Sequence, residues 1–183
     1  MQSKIKGIKI FKNNIFYDNR GSFREIYKKK KLKINKELLF SCLSISKKNV
    51  IRGLHLQTKN SQAKFLTVVK GKIFDVALDL RKNSRTFGKH FSIYLSDKSY
   101  SSIYIPKGFA HGFCSLDKEN IVYYGCTNYQ EKKNEIGILW NDTDLKIKWP
   151  IKKPILSKKD KKNILFKEYC KNYYLKKIDV SKI

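Results

Sequence analysis

A chain of 183 residues, 41% hydrophobic and 13% aromatic, can bury a core and is too apolar to stay disordered, so one domain over residues 1–183 is expected. It has no apolar run long enough to cross a membrane, and residues 1–11 lack the apolar stretch and cleavage site of a signal peptide, which points to the cytoplasm. The net charge of +26 would attract nucleic acid, anionic membranes or phosphorylated substrates, but its lysine runs at 28–32 and 158–162 read as a compositional bias on solvated faces; the charge still favours a nucleotide diphosphate ligand, and neither nucleic acid nor a membrane is expected as a partner.

In chain order, short apolar segments at Ile8–Phe11 and Ile15–Tyr17 precede Asp18-Asn19-Arg20-Gly21. Asn, Asp and Gly suit a tight turn there because they tolerate positive φ. Residues 28–39 read as a short helix or a polar connection. From there to about residue 150 strands dominate. Lys64–Val69 is β-branched and closed by Lys70-Gly71, and Ile73–Leu80 alternates, with Asp75 and Asp79 interrupting its apolar character. Phe91–Leu95, Ser102–Ile105 and Ile121–Tyr124 follow at short intervals with turn signals between them. Many short strands and little helix predict an all-β antiparallel sandwich or barrel, and a jelly roll closes such a sheet while leaving a pocket at its mouth. Beyond Pro150 the chain turns polar, and Lys158–Tyr174 is expected to form a C-terminal helix packed on the roll.

The four cysteines, Cys42, Cys114, Cys126 and Cys170, are far apart with no Cys-x-x-Cys pair, which argues for free thiols and against a zinc site. Of three histidines, His55 stands in Arg52-Gly53-Leu54-His55-Leu56-Gln57, polar chemistry set in an apolar strand. Arg52 and His55 differ by three, so a regular strand would turn them to opposite sides. A bulge at Gly53 would bring both to one cavity. The competing reading is a buried structural histidine with an arginine outside. His111, beside Gly112 and after the Pro106-Lys107-Gly108 turn, suits either a pocket wall or a turn anchor. His90 lacks polar neighbours and is assigned to the surface or a sheet face. Jelly-roll metal sites draw clustered His and Glu. Here Gln57 stands two residues after His55 with no Glu nearby, so no metal is expected. Tyr123 and Tyr124, adjacent on a strand, face opposite ways, so one reaches the interior while the other packs outside.

Several motifs agree in order and spacing with one family. They are Asp18-Asn19-Arg20-Gly21-Ser22-Phe23-Arg24-Glu25, Arg52-Gly53-Leu54-His55-Leu56-Gln57, the run Phe74 to Arg81, Thr86-Phe87-Gly88, the run Ile105 to Phe113, and Trp140-Asn141-Asp142. From about residue 7 to about 165 the chain resembles the dTDP-4-dehydrorhamnose 3,5-epimerases. The resemblance implies a cupin-type jelly roll, a homodimer with active sites completed across the interface, and neither metal nor cofactor. It implies His55 as base, Asp160 of Leu156-Ser157-Lys158-Lys159-Asp160 as its carboxylate partner, and Tyr124 as general acid. Lys64 falls at the lysine facing the keto oxygen, with Asp75 near it. Arg52 and Arg20 fall at diphosphate contacts, the latter from the partner subunit. Phe23, Glu25, Gln57, His111 and Tyr129 fall at other substrate-binding positions. One departure stands out. Where the family carries Gln-x-Asn on a ligand-contacting strand, this chain has Phe40-Ser41-Cys42, which removes two amides from the pocket.

The implied chemistry suits these groups. A C4 ketone acidifies the C3 and C5 hydrogens; removing one gives an enolate, and reprotonation from the opposite face inverts the centre. Neutral histidine is a fitting base, a carboxylate steadies its imidazolium, and lysine meets the charge on O4. Forked arginine donors match phosphate oxygens. The substrate expected is a nucleotide-linked 4-keto-6-deoxy sugar. Hexose or heptose, dTDP or GDP, and inversion at C3 alone or at both centres stay open. Two further readings are a nucleotide-sugar 3,4-ketoisomerase and a non-catalytic sugar-nucleotide-binding module.

Overall fold

The computed structural model describes residues 5–32 and 37–174. The strands are β1 (Lys9–Lys12), β2 (Ile15–Asp18), β3 (Gly21–Arg24), β4 (Phe40–Lys47), β5 (Ile51–Gln57) and β6 (Lys64–Lys70). There follow β7 (Lys72–Asp79), β8 (His90–Ser96), β9 (Ser101–Ile105), β10 (Phe109–Ser115), β11 (Glu119–Cys126) and β12 (Glu135–Gly137). They form two five-stranded antiparallel sheets, ordered β1-β9-β6-β11-β4 and β12-β5-β10-β7-β8, with β2-β3 as a separate hairpin. This is a cupin-type jelly roll. Among the described residues no helix is long and apolar enough to cross a membrane.

The alternation of side chains along each strand decides what meets between the sheets. The first sheet turns Leu66, Val68, Ile103, Ile105 and Val122 inward, and the second answers with Ile73, Ala77, Leu95, Phe109 and Phe113. The second sheet is buried on both faces: β10 is buried throughout and β7 almost so. Its outer face (Leu54, Phe74, Val76, Leu78, Ala110) is covered by Ile138, Leu145 and Tyr169, with Trp140, Trp149 and Ile164 beside them. The first sheet leaves Leu43, Ile45 and Val69 exposed on its outer side.

Within residues 28–39 the structure has the short helix α1 (Lys29–Leu32), one of the two forms expected there, and 33–36 lie outside the described residues. The helix expected over Lys158–Tyr174 is broken into a 3-10 turn at Asp160–Lys162, α2 (Phe166–Tyr169) and a wider π turn at Cys170–Tyr174. The break has a cause in the packing. Ile164 pairs with Ile138 in a parallel bridge, and the Asn163 side chain donates to the carbonyls of Gly53 and Ile138, so this stretch is drawn out along the sheet.

Candidate active site

β5 pairs with β10 in a register that breaks. His111 opposes His55, but Phe113 opposes Arg52, so β5 spends three residues where β10 spends two. The extra residue is absorbed at Gly53, which has φ of +118°; a Cβ there would stand 2.5 Å from Gly112 Cα and 2.6 Å from the His111 carbonyl. Only glycine adopts that backbone at such close approach. The bulge brings Arg52 and His55, three residues apart, to the same cavity.

That cavity, about 290 Å³, opens between the two sheets. The second sheet contributes His55, Arg52 and His111, and the first contributes Lys64, Tyr124 and Cys42. His55 Nε2 donates to Asp160 Oδ1 at 2.6 Å, across 105 residues of chain. Asp160 sits buried on the C-terminal 3-10 turn, where its Oδ2 accepts from Ser157 Oγ at 2.8 Å and its backbone N–H donates to that same hydroxyl. Burial opposes ionisation of Asp160, but the hydrogen bonds from His55 and Ser157 outweigh it and hold the carboxyl below its ordinary range. An ionised Asp160 keeps the proton on Nε2 and leaves the lone pair of neutral His55 on Nδ1.

Across the cavity, Tyr124 Oη meets Ser44 Oγ at 3.2 Å, and its ring packs edge-on against His111. Burial pushes the phenol above its ordinary pKa, so it keeps its proton. Burial pushes Lys64 the other way, while Glu135 and Asp75 among its neighbours resist that fall. His111 Nε2 donates to Asp75 Oδ2 at 2.7 Å, both side chains deeply buried. Arg52 donates through Nε to Ser46 Oγ at 2.9 Å and through Nη2 to the Ile45 carbonyl at 3.1 Å, two of its five donors. A base on one wall, a protonated acid on the other and an ammonium beside them can move a proton through a bound ligand from face to face. A wider cleft of about 1100 Å³, lined by Lys47, Lys70, Asp97 and Glu119, has no such set.

The remaining expected residues are placed less uniformly. Asp75 stands behind His111 rather than on the cavity wall. Gln57 is also not a wall residue of the main cavity: its amide donates to the carbonyls of Asn60 and Tyr129 and accepts from the Glu131 N–H, which secures the adjoining loop. Tyr129 is exposed at the rim, stacked on Phe40 with ring centroids 6.0 Å apart. Arg20, Phe23 and Glu25 are not brought to this chain's cavity. Arg20 pairs with Asp18 at 2.6 Å on the exposed β2-β3 turn, Phe23 lies exposed beside Phe16, and Glu25 pairs with Lys28 at 3.1 Å. Phe40 and Cys42, the departure from the family pattern, both line the cavity.

Gln62, Phe113, Cys126, Gln130 and Ser157 also line it, and Glu135 lies just behind His55; none was singled out from the sequence. Ser157 had a signal, since a hydroxyl three residues before a carboxylate makes a local turn. Glu135 had none, because only the pairing of β12 with β5 (Gly137 opposite His55) carries it there.

Comparison with known proteins agrees with this geometry. A family model described as dTDP-4-dehydrorhamnose 3,5-epimerase matches residues 2–168. The chain is 40% identical over 165 residues to the dTDP-4-dehydrorhamnose 3,5-epimerase of Shigella flexneri, covering 87% of this chain and 91% of that one. It is 39% identical over 167 residues to that of Methanothermobacter thermautotrophicus, covering 88% and 90%. Among solved structures, the enzyme of that name from Elizabethkingia anophelis superposes with a TM-score of 0.86 at 39% identity, covering 92% of this chain and 96% of the other. The dTDP-6-deoxy-D-glucose-3,5-epimerase of Legionella pneumophila, solved with dTDP-4-keto-L-rhamnose, gives 0.87 at 37% identity and covers 90% of each. With its motifs, jelly roll and cavity all in agreement, this chain belongs to the dTDP-4-dehydrorhamnose 3,5-epimerase family.

Proposed function

We propose that the chain is an isomerase that inverts C3, C5 or both in a nucleotide-linked 4-keto-6-deoxy sugar. His55 removes the proton, Lys64 meets the enolate oxygen, and Tyr124 returns a proton from the other side. The observation that carries this reading is the placement of His55 and Tyr124 on facing sheets of one cavity, because inversion needs a base and an acid on opposite faces of the ring. Asp160 steadies the imidazolium. Every step is a proton transfer between named side chains and carbon, so the scheme draws on no metal or cofactor.

A cavity of about 290 Å³ is at the small end for a ligand site, enough for the sugar but leaving the nucleotide at the rim. Tyr129 and Phe40 stand at that rim. The rest of the nucleotide site comes, in this reading, from Arg20 and Phe23 of a second copy. The exposed aromatic hairpin and the uncovered Leu43–Ile45 face support such a homodimer. Four unpaired cysteines suit the cytoplasm, where sugar nucleotides are used.

The relatives act on dTDP-4-dehydrorhamnose by name, which makes a dTDP-linked hexose the first substrate to try and a GDP-linked hexose or heptose the next. Incubation in D2O with NMR detection should place deuterium at C3, C5 or both. His55→Asn should abolish the exchange while leaving the thermal melt intact. The reading fails if no 4-keto nucleotide sugar exchanges, or if the asparagine variant still exchanges.

A further inference from the structure

His55 is held by two carboxylates. Besides Asp160 on Nε2, Glu135 Oε1 lies 3.7 Å from Nδ1, and the Glu135 side chain is only 8% exposed. A charged group so buried on a three-residue strand needs partners. Glu135 has them: Lys159 pairs with Oε1, and Gln130 Nε2 donates to Oε2 at 2.9 Å. Burial works against its ionisation, but Lys159, Gln130 and His55 outweigh it and keep the carboxyl below its ordinary range. A second polar cavity, about 90 Å³, lies between His55, Gln62, Lys64, Gln130 and Glu135. That volume has room for about three water molecules.

We propose that Glu135 is a positioning residue for the His55 base: a second carboxylate, aimed at the nitrogen that takes the substrate's proton, that steadies the imidazolium as it forms. This rests on the epimerase reading of the site. When the substrate C–H bond breaks, its electron pair stays behind as the enolate and the proton forms the new N–H bond at Nδ1. The imidazolium then lies between two anions. The other charged and titratable groups around it are Lys64 on β6, Tyr124 and Cys126 on β11, Cys42 on β4, Arg52 on β5, and His111 with Asp75 on β10 and β7. Lys159, next to Asp160 in sequence, pairs with Glu135 and also favours the charged form of Asp160.

Electrostatic and purely structural roles predict different signs. If Glu135 acts by its charge, Glu135→Gln lowers the titration midpoint of His55 by about one pH unit. Lys159→Met raises it, by less, because Lys159 is 54% exposed and screened. If Glu135 merely props the turn that carries Asp160, both variants loosen that turn and shift His55 in the same direction. The imidazole proton resonances of the unliganded protein, titrated by NMR, read the midpoint directly, and His55→Asn identifies the signal. No substrate enters this measurement, so it stands even if every sugar nucleotide fails. Opposite shifts support the proposal, and the acidic limb of kcat/KM should then move with them. Equal-signed shifts, or no shift in Glu135→Gln, overturn it. Should Glu135→Gln not fold, an unmoved midpoint in Lys159→Met is enough to reject it.

Discussion

At the scale of single residues, the cavity sorts its titratable groups by burial. Tyr124 is pushed above its ordinary value and Lys64 below it, both by loss of water. Tyr124 therefore stays protonated through the working range and contributes no alkaline limb. Lys64, proposed to meet the enolate oxygen, does the opposite: as pH rises through its lowered pKa, the ammonium neutralises and that charged donor is lost. Turnover should thus fall on the alkaline side, below the ordinary lysine value of about 10.4. Lys64→Arg should remove that limb, since guanidinium stays charged, while lowering kcat roughly 10- to 100-fold through altered geometry. A kcat profile between about pH 6 and 10 reads both effects. A limb that persists in the arginine variant would assign it to another group.

At the scale of elements, the site depends on one irregularity in β5. The motif Arg52-Gly53-Leu54-His55 was legible in the sequence, and so was the suspicion that Gly53 bends the strand. The register break shows how: the glycine backbone comes within Cβ range of Gly112 and the His111 carbonyl. Gly53→Ala must strain φ and move backbone, not a flexible side chain. We expect a loss of about 2–4 kcal/mol in urea unfolding, with kcat reduced more than binding because Arg52 and His55 cease to share a wall. An alanine variant of unchanged stability would show that the bulge can relax. The C-terminal segment was legible only in part. Its polarity suggested one helix, but Asn163 and Ile164 spend their hydrogen bonds on the sheet, and that pairing interrupts the helix and presents Asp160 to His55.

At the scale of the whole molecule, Arg20 and Phe23 are the test of assembly. They sit on a hairpin whose aromatics face solvent in a single chain, away from that chain's own cavity. If the partner's hairpin completes each site, two dead variants should rescue each other. His55→Asn and Arg20→Ala, each inactive alone, are expected to regain about a quarter of wild-type activity when refolded together in equal amounts, because half the dimers are mixed and each mixed dimer keeps one intact site. Sedimentation should show a two-chain particle. A mixture that stays inactive would place Arg20 in its own chain's site, and an Arg20→Ala variant active by itself would place it outside the site.

The sequence by itself pointed to the strands, through two-residue alternation and turn residues, which are local signals carried by neighbours along the chain. Resemblance to the family, carried by the order of several motifs, supplied His55, Lys64, Tyr124 and Asp160 as candidates. Only the tertiary structure decided that Arg52 and His55 share a wall, that Tyr124 faces them from the other sheet, and that Glu135 joins Asp160 at the imidazole. His55 and Asp160 are 105 residues apart, and their 2.6 Å bond forms because an antiparallel sheet and a diverted C-terminal turn bring them together. Glu135 opens a three-residue strand of unremarkable sequence, and its burial beside a charged partner is a property of packing.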